Sequence, residues 1–177
     1  MIASSGEPSS RENPPLGPAL AGGLVRVDGD GQWAIVRRGR GVEIFENDLI
    51  TFNGTPAQVR RSVKELGLDI VTLQPFRDFE GMPDGQRDRV FARAERKFDV
   101  MEELGCELLM ICSNVAADSL GGIDRAAADL RELGERASKR GLRVAFEALA
   151  WGRHISDYRD AWEAVRRADH PAVGLVL

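Results

Sequence analysis

A carboxylate, Glu147, ends the apolar run RVAFE and precedes a loop that carries Trp151, Arg153 and His154. Removing an ionised carboxylate from water is unfavourable unless a cation, a hydrogen-bond donor or a metal ion compensates its charge. Glu147 therefore needs a partner. The sequence leaves three kinds open: Arg153, a lysine at the rim of the fold, or a bound metal ion.

Polar side chains also follow three other apolar runs of the chain. They are Glu43 within the first run and Glu46, Asn47 and Asp48 after it, Gln74 at the end of the second run with Arg77 and Asp78 after it, and Ser113 and Asn114 after the third. If these runs are parallel strands, their carboxyl ends meet at one rim, which is where barrel enzymes hold their chemistry. The pattern therefore predicts a rim of polar side chains contributed by the carboxyl ends of four strands.

Five apolar runs supply the strands. They start at residues 42, 70, 108, 143 and 173, a spacing typical of successive βα units. The runs are apolar almost throughout, which indicates burial on both faces, as in a parallel sheet.

Four segments between the runs have helical periodicity. In the first, Thr55 is the predicted N-cap, Pro56 the first helical residue and Gly67 the stop. The other three helices are predicted within 86–105, 123–141 and 156–169, the last capped by Ser156 or Asp157. The predicted apolar positions are Val59, Val63 and Leu66 in the first helix and Phe91, Ala94, Phe98 and Met101 in the second.

Two folds fit this alternation, a doubly wound sheet and a (β/α)8 barrel. No G-x-G-x-x-G or P-loop motif follows any run, which disfavours a nucleotide-binding doubly wound sheet. The pattern begins at Gly41. Residues 1–40 are rich in Ser, Pro and Gly, and we expect disorder or a weak strand near Trp33 to Val36. We therefore divide the chain into an irregular segment, 1–40, and a barrel domain, 41–177.

Charge and composition argue against several classes of function. The chain has 24 basic and 28 acidic residues, a net charge of -4, so we expect no nucleic-acid partner. No apolar stretch approaches the roughly 20 residues of a membrane span, and no signal peptide is evident, so we expect a cytoplasmic protein without a membrane partner. Cys106 and Cys112 are interpreted as small buried residues.

Five motifs resemble those of bacterial 3-dehydroshikimate dehydratases, which belong to the xylose-isomerase-like (sugar phosphate isomerase/epimerase) barrel group. The motifs are GVEIFENDL, QPFRDFEG, ERKFDVMEELG, CSNV and EALAWGRH, and the resemblance runs from Gly41 to Leu177. It implies an α/β fold, an incomplete (β/α)8 TIM barrel of about strands 2 to 6. It also implies a metal-dependent lyase that converts 3-dehydroshikimate to protocatechuate.

The resemblance implies roles for individual residues. Glu147 matches the first metal ligand of the family, and oxygen ligands suit Mg, Mn or Co. Arg77 is the candidate cation for the substrate carboxylate, although it could instead pair with Asp78 or Glu80. The other candidate substrate-binding residues are Gln74, Asn114, His154 and Glu43. Trp151 is expected to pack, and His170 to be structural.

The sequence departs from the family pattern at both ends. Residues 1–40 do not resemble a first strand and helix, and the chain stops at Leu177, where the family continues with an aspartate ligand and a histidine. We expect a partial barrel with open sheet edges on both sides, marginal stability and self-association through those edges. We also expect no appreciable dehydratase activity from the chain alone.

Two further interpretations stay open, another activity of the same barrel group and a non-catalytic fragment. Sugar phosphate isomerases and inosose dehydratases belong to the same barrel group, as do metal-dependent endonucleases, which the acidic balance of the chain disfavours. A non-catalytic half-barrel or interaction module is an alternative from a different class.

Overall fold

The computed structural model describes residues 41–177 in full and, before them, two strands, β1 (Gly23–Arg26) and β2 (Trp33–Arg37). The two strands are antiparallel, and β2 also pairs antiparallel with β3 (Gly41–Phe45). The strand predicted near Trp33 to Val36 is therefore present, and β1 is a strand that the sequence did not predict, while residues 1–22, 27–32 and 38–40 of the predicted irregular segment lie outside the described residues. Because β2 lies beside β3, the edge of the sheet on this side is β1 and not β3, and self-association through the open edges stays a prediction.

Five parallel strands form the body of the sheet. After β3 they are β4 (Asp69–Phe76), β5 (Leu108–Cys112), β6 (Arg143–Glu147) and β7 (Val173–Leu175), and their order in the sheet follows the chain. Each strand pairs in parallel with the next. This is the repeated βα arrangement of an incomplete barrel, as predicted. β4 is longer than its apolar run, and β7 ends two residues before the end of its run.

The connecting helices lie close to their predicted positions. They are α1 (Glu46–Thr51), α2 (Pro56–Glu65), α3 (Asp84–Leu104), α4 (Ile123–Ser138) and α5 (Tyr158–Ala168). None of the helices within residues 41–177 is long and apolar enough to span a membrane. Only the six-residue α1 was not predicted.

Helix α2 begins with a reciprocal capping box. The Gln58 backbone N–H donates to Thr55 Oγ1 at 3.2 Å, and Gln58 Oε1 accepts from the Thr55 N–H at 2.7 Å. After the helix, Gly67 has a φ of 71°, which favours glycine and ends the helix as predicted. Val63 is buried, but Leu66 is 64% exposed, because it is the C-cap residue where the chain leaves the apolar face. The prediction for Leu66 was therefore wrong.

The core lies between the sheet and the layer of helices. All four predicted apolar positions of α3 are buried, and the Phe79 and Phe91 rings meet edge to face with centroids 5.2 Å apart. Cys106 and Cys112 are buried and unbridged, as expected.

The other face of the sheet, which we call the inner face, borders a groove of about 660 Å³. Alternate strand residues line it: Glu43, Val71, Met110, Ala145 and Leu175. Val71 is 44% exposed, so this face is open to solvent.

Candidate active site

The carboxyl ends of β5 and β6 bring a thiol and a carboxylate together. Cys112 and Glu147 are the last residues of their strands and are directly paired in the register. Cys112 Sγ donates to Glu147 Oε2 at 3.6 Å. Burial, and next the charge of Glu147, raise the pKa of the Cys112 thiol to about 12. The thiol therefore stays protonated at neutral pH and remains a donor.

Glu147 is half-buried, and its environment fits a ligand or binding role. Its backbone carbonyl accepts from the Ser113 N–H at 2.9 Å, which fixes the end of β6 against β5. Within residues 41–177 its Oε1 atom makes no hydrogen bond, and no ion pair joins it to Arg153. The carboxylate thus keeps one oxygen for an external group.

A second pair of candidates meets on β3 and β4. Gln74 Nε2 donates to Glu43 Oε2 at 2.5 Å, and Gln74 lies opposite Phe45 in the register. This hydrogen bond uses one N–H of the Gln74 amide and fixes the orientation of the Gln74 side chain. The structure therefore joins these two predicted residues.

Arg77 lies in the loop after β4, with its side chain exposed. The positive charge of Arg77 lowers the pKa of the Cys112 thiol, although burial raises it by more. The Arg77 guanidinium therefore lies near the Cys112 and Glu147 pair. Arg93 of α3 holds the backbone of this loop, because it donates hydrogen bonds to the carbonyl oxygens of Arg77 and Asp78 at 2.9 and 3.2 Å. Among the described residues, Arg77 forms no ion pair with Asp78 or Glu80, so its charge is available to an anion.

Asn114 is placed differently from the other candidates. It is 3% exposed, and its Nδ2 atom donates to the Glu80 carbonyl at 2.6 Å, while its Oδ1 atom accepts from the Ala116 N–H at 2.8 Å. Both ends of the amide are used within the protein. In this arrangement Asn114 organises the loop after β5 and does not face the inner groove.

His154 also contacts protein. Its Nε2 atom lies 3.0 Å from the Ser119 carbonyl oxygen, and its ring lies against Gly121, while the side chain remains exposed. The histidine thereby joins the loop after β6 to the loop after β5. Trp151 is 70% exposed and does not pack as expected, because its loop projects into solvent.

Two remaining candidates lie outside this constellation. Glu46 begins α1 and forms an ion pair with Lys97 of α3, so it is part of a helix contact. His170 Nδ1 accepts from the Ala172 N–H at 3.1 Å, and its ring lies against Gly134. His170 is thus structural, as expected.

The loops that follow β5 and β6 are fastened together. Ser113 Oγ accepts from the Leu149 N–H at 2.9 Å, and the Asn114 carbonyl accepts from the Arg153 N–H at 2.8 Å. These contacts fix the segment that follows Glu147. Two contributors were missed by the sequence reasoning: Cys112 as the partner of Glu147, and Glu80 as the partner of Asn114.

The described residues offer fewer ligands than a divalent metal ion needs. A divalent cation is held by several carboxylate, carbonyl, imidazole or water ligands. Glu147 offers one carboxylate oxygen, and residues 41–177 contain no group of three or more His, Cys, Asp or Glu that could hold a metal. The described residues therefore provide a candidate ligand but not a complete metal site.

Comparison with known proteins adds the following findings. A family model described as a xylose isomerase-like TIM barrel matches residues 37–177. A 3-dehydroshikimate dehydratase from Pseudomonas putida and one from Pseudomonas aeruginosa are each 56% identical over 137 residues, 77% of this chain and 22% of the relative. The chain thus spans about a fifth of the length of these curated relatives.

Solved structures give the same result. A xylose isomerase-like TIM barrel/4-hydroxyphenylpyruvate dioxygenase fusion protein superposes with a TM-score of 0.75 at 56% identity, over 76% of this chain and 22% of that one. The zinc-bound IolI protein, at 15% identity, has a TM-score of 0.63 over 77% of this chain and 52% of its own, which shows the fold alone.

Proposed function

The chain belongs to the xylose isomerase-like TIM-barrel family, and we propose that it supplies part of the active site of a 3-dehydroshikimate dehydratase. The observation that carries this proposal is the 56% identity to two dehydratases over 137 residues, which is 77% of this chain. The substrate is then a small keto acid. The reaction removes a proton from the carbon beside the ketone and a hydroxyl group from the carbon after it.

The rim offers groups that suit this substrate. Arg77 carries an exposed guanidinium whose planar fork can bind a carboxylate through two hydrogen bonds. The backbone that carries Arg77 is held in place by the hydrogen bonds from Arg93. We assign Arg77 to the substrate carboxylate, which fixes the ring relative to the strand ends.

The Gln74 and Glu43 pair provides a second anchor on the inner face. Glu43 accepts from Gln74, so the amide oxygen of Gln74 is turned away from this hydrogen bond and can accept from a substrate hydroxyl. His154 and Asn114 are proposed to act indirectly: each hydrogen-bonds to a neighbouring loop and so positions the residues around the substrate, without contacting the substrate itself.

Glu147 is proposed as one ligand of a divalent metal ion, with Mg, Mn or Co favoured by its hard oxygen donor. A bound divalent ion supplies electrostatic stabilisation of the negative charge that develops on the substrate oxygen. Cys112 keeps the carboxylate oriented by a neutral hydrogen bond that leaves the charge of Glu147 intact.

A chimaera tests the proposal. Residues 41–177 replace the matching segment of the Pseudomonas putida relative, and formation of protocatechuate from 3-dehydroshikimate is followed by absorbance. We expect turnover in the chimaera, loss of at least a hundredfold on Glu147→Gln, and no change on Glu103→Gln, an exposed glutamate of α3. A folded chimaera without turnover, or a Glu147→Gln chimaera with full activity, would contradict it.

The expectation that the 177-residue chain has no appreciable activity by itself stays a prediction. The same assay on the purified chain tests it, and turnover there would overturn that expectation.

A further inference from the structure

Glu80 is a buried carboxyl group with an unpartnered oxygen. It lies in the loop between β4 and α3 and is 4% exposed. Its Oε1 atom accepts from the Asn114 N–H at 2.6 Å, but its buried Oε2 atom has no hydrogen-bond partner among the described residues. An ionised carboxylate in this position would keep a desolvated, uncompensated charge.

The groups around Glu80 also disfavour a negative charge. The negative charges of Asp129 of α4 and of Asp78 in the same loop repel a charge on Glu80, while the nearby Cys112 thiol of β5 is neutral and does not compensate one. The neighbouring cation of α3, Arg87, is already engaged at 3.1 Å by Asp129. Burial raises the pKa of Glu80 to about 8; the backbone N–H groups of Asn114 and of Glu80 itself oppose this shift, and the two aspartates reinforce it.

Glu80 stands at the contact between two loops of the barrel mouth. The loop 77–83 and the loop 113–122 are joined through both the side chain and the backbone of this residue, since Asn114 Nδ2 donates to its carbonyl. Next to it, the Leu120 N–H donates to the Gly81 carbonyl at 2.7 Å. The first loop carries Arg77 and the second begins with Ser113.

We propose that Glu80 is a proton-dependent latch, whose uncharged carboxyl group holds these two loops together and whose ionisation releases them. The latch positions Arg77 relative to the strand ends, but it does not depend on the reaction proposed above. The buried oxygen without a partner costs less free energy when the group is protonated, because the uncharged carboxyl group avoids the larger cost of a desolvated charge. The same group as an anion would favour any loop movement that returns it to water.

The direction of the effect follows from proton linkage. In the closed loops Glu80 binds its proton up to about pH 8, whereas in an opened loop it would titrate near its ordinary value of 4.5. Between these two values only the closed form holds the proton. The opening equilibrium should therefore rise about tenfold for each pH unit from roughly pH 5 to 8 and level off above that.

Hydrogen exchange on the full chain tests the latch. The amides of Asn114, Val115 and Leu120 are followed from pH 5.5 to 9 by NMR or mass spectrometry, with rates corrected for intrinsic exchange. We expect their protection to fall about tenfold per pH unit up to pH 8 in the wild type. Glu80→Gln, which keeps the shape of the protonated group, should abolish this dependence, and Glu103→Gln should retain it.

A second measurement keeps the test decisive if Glu80→Gln does not fold. The carboxyl carbon of Glu80 is titrated by NMR in the wild-type chain. A midpoint near pH 8 that coincides with the loss of amide protection supports the latch. A midpoint at or below pH 5.5, or amide protection at these positions that does not change with pH, would overturn it.

Discussion

Cys112 Sγ lies 3.6 Å from Glu147 Oε2, and the two residues are register partners at the carboxyl ends of β5 and β6. The pairing connects a buried neutral thiol to the carboxylate that stands at the strand end. It has a chemical consequence, because only a thiolate reacts readily with alkylating agents.

We expect Cys112 to resist alkylation in the folded chain. Burial raises the pKa of the thiol to about 12, and that of Cys106 to about 11, so neither is ionised at pH 8. Modification by iodoacetamide, followed by mass spectrometry, should be roughly a hundredfold or more slower than in guanidinium-unfolded chain. Equal rates in the two states would show that the thiols are accessible and ionised.

Arg77 should control substrate binding in the chimaera. Arg77→Ala removes the guanidinium from the rim, and we expect the KM for 3-dehydroshikimate to rise by roughly tenfold to a hundredfold, the worth of a charge-assisted hydrogen bond. Arg77→Lys should recover only part of the loss, because lysine cannot form the two parallel hydrogen bonds. Arg61→Ala, at an exposed position of α2, is the control. An unchanged KM for Arg77→Ala would rule out this assignment.

Glu80 should give the free energy of unfolding a characteristic pH dependence. Its pKa is about 8 in the folded chain and near 4.5 in the unfolded chain, so its stabilising effect is complete below pH 4.5 and is lost as pH rises through 8. Relative to the wild type, Glu80→Gln should gain roughly 1 kcal/mol of stability per pH unit across that interval. Urea unfolding at several pH values measures the difference. Parallel stability profiles for the two proteins would contradict this prediction.

Helices α3 and α4 are joined by Arg140, whose removal should destabilise the fold. The guanidinium donates to Asp99 at 2.6 Å and Glu102 at 2.7 Å, and it lies 5.8 Å from the Phe98 ring centroid. The two carboxylates hold the pKa of Arg140 above its usual range. Arg140→Ala should cost about 1–2 kcal/mol of unfolding free energy and less at high salt, because the contacts form a network.

The exposed neighbour Lys139 provides the matched control for Arg140. Lys139→Ala should change the unfolding free energy by less than about 0.5 kcal/mol, as expected for a surface substitution. If the two variants lose equal stability, the ion-pair network contributes nothing measurable.

The strands could be predicted from sequence because each is a short, nearly continuous apolar run. Helix α1 was not predicted because it has only six residues, too few to show a helical period, and its N-cap residue Phe45 makes no side-chain capping hydrogen bond. Leu66 fits the helical period but falls on the C-cap, where the period no longer applies. The local sequence pattern thus predicts the order of strands and helices. It does not fix the first and last residue of each element, which depend on the backbone conformation at the caps.

The site was less predictable than the fold. Glu147 could be named as a candidate because it is a carboxylate at the end of an apolar strand, but its pairing with Cys112 requires the register of β5 and β6, which no local pattern contains. Glu80 was considered only as a surface partner of Arg77. In the structure the loop turns at Asp78, which has a φ of 51°, and Glu80 is buried against Asn114 instead.

The contact between Gly121 and His154 joins the loops after β5 and β6. Gly121 has a φ of 68°, and a Cβ atom there would lie 2.3 Å from His154 Cγ. Gly121→Ala must therefore displace the imidazole and its contact with Ser119, in addition to the backbone cost of the left-handed conformation. We expect a loss of about 2–3 kcal/mol of unfolding free energy.

Gly122 separates the two contributions. Its φ is 92°, but a Cβ atom there would meet nothing within 4 Å, so Gly122→Ala carries a backbone cost without the clash. Gly121→Ala should also cost about 1 kcal/mol less when His154→Ala is already present, since the ring is then gone. If the cost of Gly121→Ala is the same with and without the imidazole, the two loops are not coupled through this contact, and His154 is free to face a ligand instead.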